Sequence, residues 1–241
     1  MIREELIAQA LAAGQDQEGQ AAREQVCDAV AKGLAWLGTM LWVDGALLGT
    51  DRIDGTTPFG YGSDAKVGLA TAVQVGGELV AGAALLLRSD NRYAAASLVR
   101  QLVEVEYLTW AFGENEAQAR AWMRSSKEER EKMWQPRHLR KRSGGRFGKG
   151  CYAVHCEQGG HPTPASSYLL PGHSHRQEAG FLWCDLAGHA TNVWGYTMAA
   201  VEKQNNGKPI KAADVDAVMP AIDHWHVTDP LQALLAQVVM P

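Results

Sequence analysis

Residues 26–41 read VCDAVAKGLAWLGTML and carry Val26, Val30, Leu34, Leu37 and Leu41 at steps of four, four, three and four. That rhythm draws one apolar stripe along an α-helix, and it predicts a long amphipathic helix from about Gln17 to Leu48. Before it, a short helix is expected over Ile2–Ala13. After it, residues 51–62 hold Gly55, Pro58, Gly60 and Gly62 and read as a loop.

Ser63 or Asp64 can then cap a helix running to Leu87, because a short side-chain oxygen accepts from an orphan backbone N–H. Ala70, Ala72, Gly76, Gly77, Ala81, Gly82 and Ala84 crowd this helix, so close packing against a neighbour is expected, with Gly76-Gly77 as a point where it can bend. A fourth helix, Asn91–Phe112, closes on Gly113 as its C′ residue. Ser126 and Glu129 form a capping box that opens a short charged helix ending before Pro136. Residues 136–150 read as a basic connector, a short helix follows over Cys151–Gln158, and residues 159–175 form a turn region. The last long helix is expected from Arg176 to Asn205, with terminal helices broken at Pro220 and Pro230.

No stretch alternates β-branched and polar residues as a half-buried strand does. The predicted fold is therefore all-α: an irregular helical bundle of about six to eight helices, with its long helices antiparallel, in a single domain over residues 1–241.

With 46% apolar and 21% charged residues, the chain has enough apolar material for one core and too little charge for global disorder. A net charge of −4 argues against a surface built throughout to coat nucleic acid or anionic lipid. Cys27, Cys151, Cys156 and Cys184 match neither a CxxC pair nor a secreted framework, so reduced thiols and a cytoplasmic location are expected. Met1-Ile2-Arg3-Glu4-Glu5 has no secretory character. The uninterrupted apolar run Leu79–Leu87 is shorter than a membrane span, so no membrane partner is expected.

Three groups of residues carry candidate chemistry. On the fourth helix Ser97, Arg100, Glu104 and Tyr107 share one face, either as a solvated ion pair or as the lining of a pocket, and Glu106 is read as a surface carboxylate. On the last long helix Asp185 lies one turn before His189, followed by Asn192 and Tyr196; a carboxylate beside an imidazole suits a general base or a metal ligand. Between them come Tyr152, His155, Cys156 and the Gly159-Gly160-His161-Pro162 turn, whose restricted backbone aims His161. His173, His175, His224 and His226 are weaker candidates. Arg137, Arg140, Lys141, Arg142, Arg146 and Lys149 form a basic run with no acidic residue between Glu131 and Glu157, a local field that attracts phosphates. Gly144–Gly150 has the glycine content of a phosphate cradle, but no strand precedes it. HExxH and paired Glu-x-x-His motifs are absent.

The segment from Ser97 to Leu108, with Tyr152 through the His161-Pro162 turn, resembles a group of uncharacterised bacterial helical proteins in which an Arg/Glu-bearing helix faces a short helix ending in His-Pro. It is more distantly similar to the HEPN superfamily, compact helical bundles that often dimerise and include RNases of toxin–antitoxin and phage-defence systems. The resemblance covers about a third of the chain. The Arg-to-His spacing of the superfamily's nucleases is shorter than the one here, where eight residues separate Arg146 from His155.

That resemblance implies a homodimer acting on RNA or a nucleotide without cofactor or metal. In this reading His155 or His161 is the acid/base group, Arg100, Glu104 and Tyr107 position it, and Arg140, Arg142, Arg146, Lys149 and Tyr152 hold substrate. An alternative is a metal-dependent helical-bundle enzyme using Glu104, His161, Asp185 and His189, with His155 also in reach. A third is a non-enzymatic interaction module that docks a second subunit through residues 231–239.

Overall fold

The computed structural model describes residues 2–48, 63–170, 178–204 and 210–239, and every regular element within them is a helix. In chain order these are α1 (Ile2–Gly14), α2 (Gln17–Val43), α3 (Asp64–Arg88), α4 (Arg92–Glu114), α5 (Glu116–Arg124), α6 (Lys127–Met133), α7 (Pro136–Arg142), α8 (Lys149–His155), α9 (Glu178–Gln204), α10 (Ala213–Asp216), α11 (Val218–Thr228) and α12 (Pro230–Val239). The all-α expectation holds, but the described residues form twelve α-helices instead of the six to eight expected. The excess comes from short helices between α4 and α9 and after it, where single residues end one helix and start the next. Asn115, for example, follows α4 and caps α5 by accepting from the Ala117 N–H at 2.9 Å. The expected loop at 51–62 lies outside the described residues, as do His173 and His175.

The four long helices α2, α3, α4 and α9 pack on one another around one apolar cluster, with α5 laid on α3 and α11 on α2. Asp16 starts α2 by accepting from the Gly19 N–H at 2.7 Å, and the stripe from Val26 to Leu41 is buried along its length. Ser63 caps α3. The small residues of α3 let it approach α2 closely: a Cβ on Gly77 would stand 3.3 Å from the Ala35 nitrogen, and the helix runs unbroken through Gly76-Gly77. Gln17–Ala46 and Asp64–Arg88 are long and apolar enough to cross a membrane by length and composition; 44% and 56% of their most apolar windows are buried within the bundle. The run Leu79–Leu87 is thus part of a 25-residue helix.

Other boundaries differ from expectation for local reasons. Gly113 is not a C′ residue but lies inside α4, where its missing side chain lets α9 approach; a Cβ there would be 3.2 Å from the Tyr196 carbonyl oxygen. The capping box at Ser126 and Glu129 forms as read. Pro136 does not merely end a helix; it opens α7 as its first residue, so half of the supposed basic connector is helical. Pro220 sits in the first turn of α11, and the break falls at Ala217 instead.

α8 continues into a π-helical turn, Cys156–Gly160, pressed against α4. Gly159 is required there, since a Cβ would come within 2.4 Å of the Ala96 carbonyl carbon, and Ser97 Oγ donates to the Gly159 carbonyl at 2.7 Å. This contact fixes α8 beside α4 and brings it to α9.

Candidate metal centre

Two helical repeats of one turn meet between α8 and α9. Cys151 and His155 stand four residues apart on α8, and Asp185 and His189 stand four apart on α9, so each pair shares a face. The two faces oppose. His155 Nε2 and His189 Nε2 lie 3.1 Å apart, and with Cys151 Sγ they form a group whose ligand atoms are all within 4.8 Å of one another.

Carboxylates stand behind both rings. Glu106, on α4, is only 4% exposed and accepts from His189 Nδ1 at 2.5 Å and from Asn192 Nδ2 at 3.1 Å. Asp185 has one oxygen 3.6 Å from His155 Nδ1 and the other 3.5 Å from His189 Nε2, and its side chain is 36% exposed. Glu106 was read as a surface carboxylate; it is instead the innermost acid of the centre, because α9 covers that side of α4.

These neighbours move the protonation equilibria in a consistent direction. Burial disfavours a charged His189, but hydrogen bonds with Asp185, Cys151 and Glu106 outweigh it and hold the imidazolium well above its usual range. Burial likewise opposes ionisation of Asp185, and the hydrogen bond to His189 and the nearby imidazoles keep it below the usual carboxylate range. Hydrogen bonds with His155 and then His189 draw the Cys151 thiol down to about 7, against desolvation that pulls the other way.

A cleft of about 700 Å³ opens beside the group. Cys151, His155, Asp185, His189 and Asn192 line its polar end, while Phe181, Leu182 and Trp225 are part of its apolar wall.

The remaining expected site residues fall around this centre unevenly. Arg100 and Glu104 form an i,i+4 ion pair at 2.9 Å that is partly exposed, and Tyr152 joins it: Arg100 donates to the Tyr152 hydroxyl at 2.9 Å, which donates to Glu104 at 2.9 Å. Tyr107 is buried, its ring 4.1 Å from that of Phe147, and burial, followed by the nearby Cys151, pushes its phenol up to about 12. Its hydroxyl has no hydrogen-bond partner among the described residues. Arg140 lies over the Tyr152 ring, Arg142 over Trp134 and Arg146 over Tyr196. Lys149 begins α8.

His161 is not brought to the centre. Its residue is exposed, and its carbonyl accepts from Ser166 Oγ at 3.3 Å, so the turn orders backbone and leaves the ring outside. The four-residue set Glu104, His161, Asp185 and His189 is therefore replaced, among the described residues, by Cys151, His155 and His189 as the group able to hold an ion. His224 is exposed and pairs with Thr228 Oγ1 at 3.1 Å, and His226 is exposed beside Trp225. Cys151 is a site residue that the sequence reading does not single out, since it belongs to no CxxC pair. The Cys-x-x-x-His step was the available clue.

No family model matches the chain, and no curated protein or solved structure is significantly similar to it.

Proposed function

We propose that this protein is a metal-dependent hydrolase whose single transition-metal ion is held by Cys151 Sγ, His155 Nε2 and His189 Nε2. One observation carries the reading: the two Nε2 atoms converge at 3.1 Å while a carboxylate lies behind each Nδ1, at 2.5 Å from His189 and 3.6 Å from His155. A carboxylate hydrogen-bonded to the far ring nitrogen, as Glu106 is to His189, fixes the orientation of a ligating imidazole. One thiolate with two imidazoles suits zinc.

Catalytic zinc sites use three protein ligands where closed structural sites use four, and the three residues here all line the cleft. Such an ion supplies Lewis acidity and lowers the pKa of water toward neutrality. Asp185 lies beside both rings, partly exposed at the cleft, and serves as the base that takes the proton of the attacking water. Glu106 and Asn192 hold His189 in place from behind.

The test is metal stoichiometry on untagged protein equilibrated with zinc and dialysed. About one zinc per chain is expected, falling to near zero when both Cys151 and His155 are replaced by Ala. A folded wild type that retains no zinc overturns the proposal.

A second reading has its own support. Arg100 and Arg140 stand 5.6 and 5.8 Å from the Tyr152 ring centroid, and Arg146 stands 6.0 Å from that of Tyr196. Cations interleaved with aromatic rings suit phosphates and stacked bases, as an RNA or nucleotide partner of a HEPN-like protein would need. Low-salt RNA binding that weakens in an Arg140→Ala, Arg146→Ala double variant supports this reading; wild type that does not bind RNA at low salt contradicts it.

A further inference from the structure

We propose that the cleft takes a carboxylic ester or amide with a medium-length alkyl chain, an inference that rests on the hydrolase reading above. The cleft lining is of two chemical kinds. Cys151, His155, His189 and Asp185 offer ligand and acid–base groups, whereas Val154, Leu169, Phe181, Leu182, Trp225 and Leu235 are apolar. A volume of about 700 Å³ is in the range of sites that enclose a small organic molecule, and such sites place few polar groups against an apolar lining.

Charge separates acyl from phosphoryl substrates. A transferring phosphoryl group spreads negative charge over several oxygens and needs cations around it. Among the described residues the cleft lining adds no Lys or Arg to the charge of the ion, and its one carboxylate, Asp185, offsets part of that charge and repels an anion. The arginines stand instead against Tyr152, Trp134 and Tyr196, and none of those rings lines the cleft. A neutral carbonyl compound meets no such penalty. Its carbonyl lies at the ligand group and its alkyl chain along the apolar wall.

The reaction balances as simple hydrolysis. The water oxygen forms a bond to the carbonyl carbon while Asp185 takes a water proton. The bond from that carbon to the ester oxygen or amide nitrogen then breaks, its electron pair stays on the leaving atom, and Asp185 returns the proton there. The products are a carboxylic acid and an alcohol or amine.

The experiment uses the full chain loaded with zinc and p-nitrophenyl acetate, butyrate and octanoate, with bis(p-nitrophenyl) phosphate as the phosphoryl comparison. Each methylene buried on the wall is worth about fourfold in kcat/KM, so octanoate, four methylenes longer, is expected to exceed butyrate by up to about 250-fold. Phe181→Ala and Leu235→Gln should each lower the octanoate-to-acetate ratio by roughly tenfold while zinc stoichiometry stays at that of wild type. Calorimetry of octanamide binding to metal-free protein reads the wall apart from catalysis, and weaker binding in both variants is expected.

Stoichiometric zinc with flat dependence on chain length, or with the phosphodiester preferred, overturns the acyl proposal alone. Failure to retain zinc shows in the metal measurement and overturns the hydrolase reading together with this one.

Discussion

Two polar centres meet Trp225, one buried and one open to the cleft, and they are built to different ends. Arg23 and Asp229 are both essentially inaccessible and form a bidentate pair at 2.8 and 2.6 Å. Arg23 also donates to the Gly14 and Ala13 carbonyls, and Asp229 also accepts from Trp225 Nε1 and the Leu231 N–H. Both oxygens and all three guanidinium nitrogens are engaged, joining α1, α2, α11 and α12. Beyond Trp225, which donates to Asp229 and also lines the cleft, Cys151, His155 and His189 converge without such closure and face that cleft. A saturated centre locks structure, whereas one that turns its ligand atoms toward an opening is arranged to receive something.

The largest effect should come from breaking the saturated centre. Asp229→Asn leaves Arg23 charged and buried beside a neutral partner, and is expected to reduce unfolding free energy by about 3–5 kcal/mol in denaturant titration. Zinc retention by the folded fraction should be unchanged. A loss under about 1 kcal/mol would remove the distinction between the two centres.

Cys151→Ser gives the complementary result. The residue is exposed, so unfolding free energy should stay within about 0.5 kcal/mol of wild type, while zinc affinity falls by about 100-fold in competition with a chromophoric chelator. Glu106→Gln keeps the shape behind His189 and removes the charge, and an affinity loss of roughly 10–100-fold is expected, with zinc still bound at saturation. The last effect is that of pH. Zinc displaces protons from Cys151, whose thiol titrates near 7, and from His189, held above its usual range, so affinity rises with pH. It should fall by about tenfold per unit where only the His189 proton competes, and by about 100-fold per unit below roughly pH 7, where Cys151 holds its proton as well, read in the same chelator competition. A flat profile would mean that these protons do not compete with the metal.

The long helices were legible because burial repeats along them. The Val26–Leu41 stripe, the small-residue face of α3 and the pairing of Asp185 with His189 are periodic features, and each reappears in the structure. The site was only partly legible. α8 is seven residues long, too short for a periodic pattern to reveal that Cys151 and His155 share the face turned to α9. Glu104 and Glu106 point to opposite sides of α4, and which side is inner depends on where α9 lands, information that α4 does not contain. Pro136 is equally suited to stopping one helix and starting the next, so the basic stretch looked unstructured. The Arg23–Asp229 pair joins residues 206 apart, and nothing local marks either as buried.

X-ray absorption at the zinc edge of the loaded protein tests the metal centre most directly. The expected first shell is one sulfur at about 2.3 Å and two imidazole nitrogens at about 2.0–2.1 Å, completed by one light atom from solvent. A shell of nitrogen and oxygen alone, unchanged in Cys151→Ser, would contradict it.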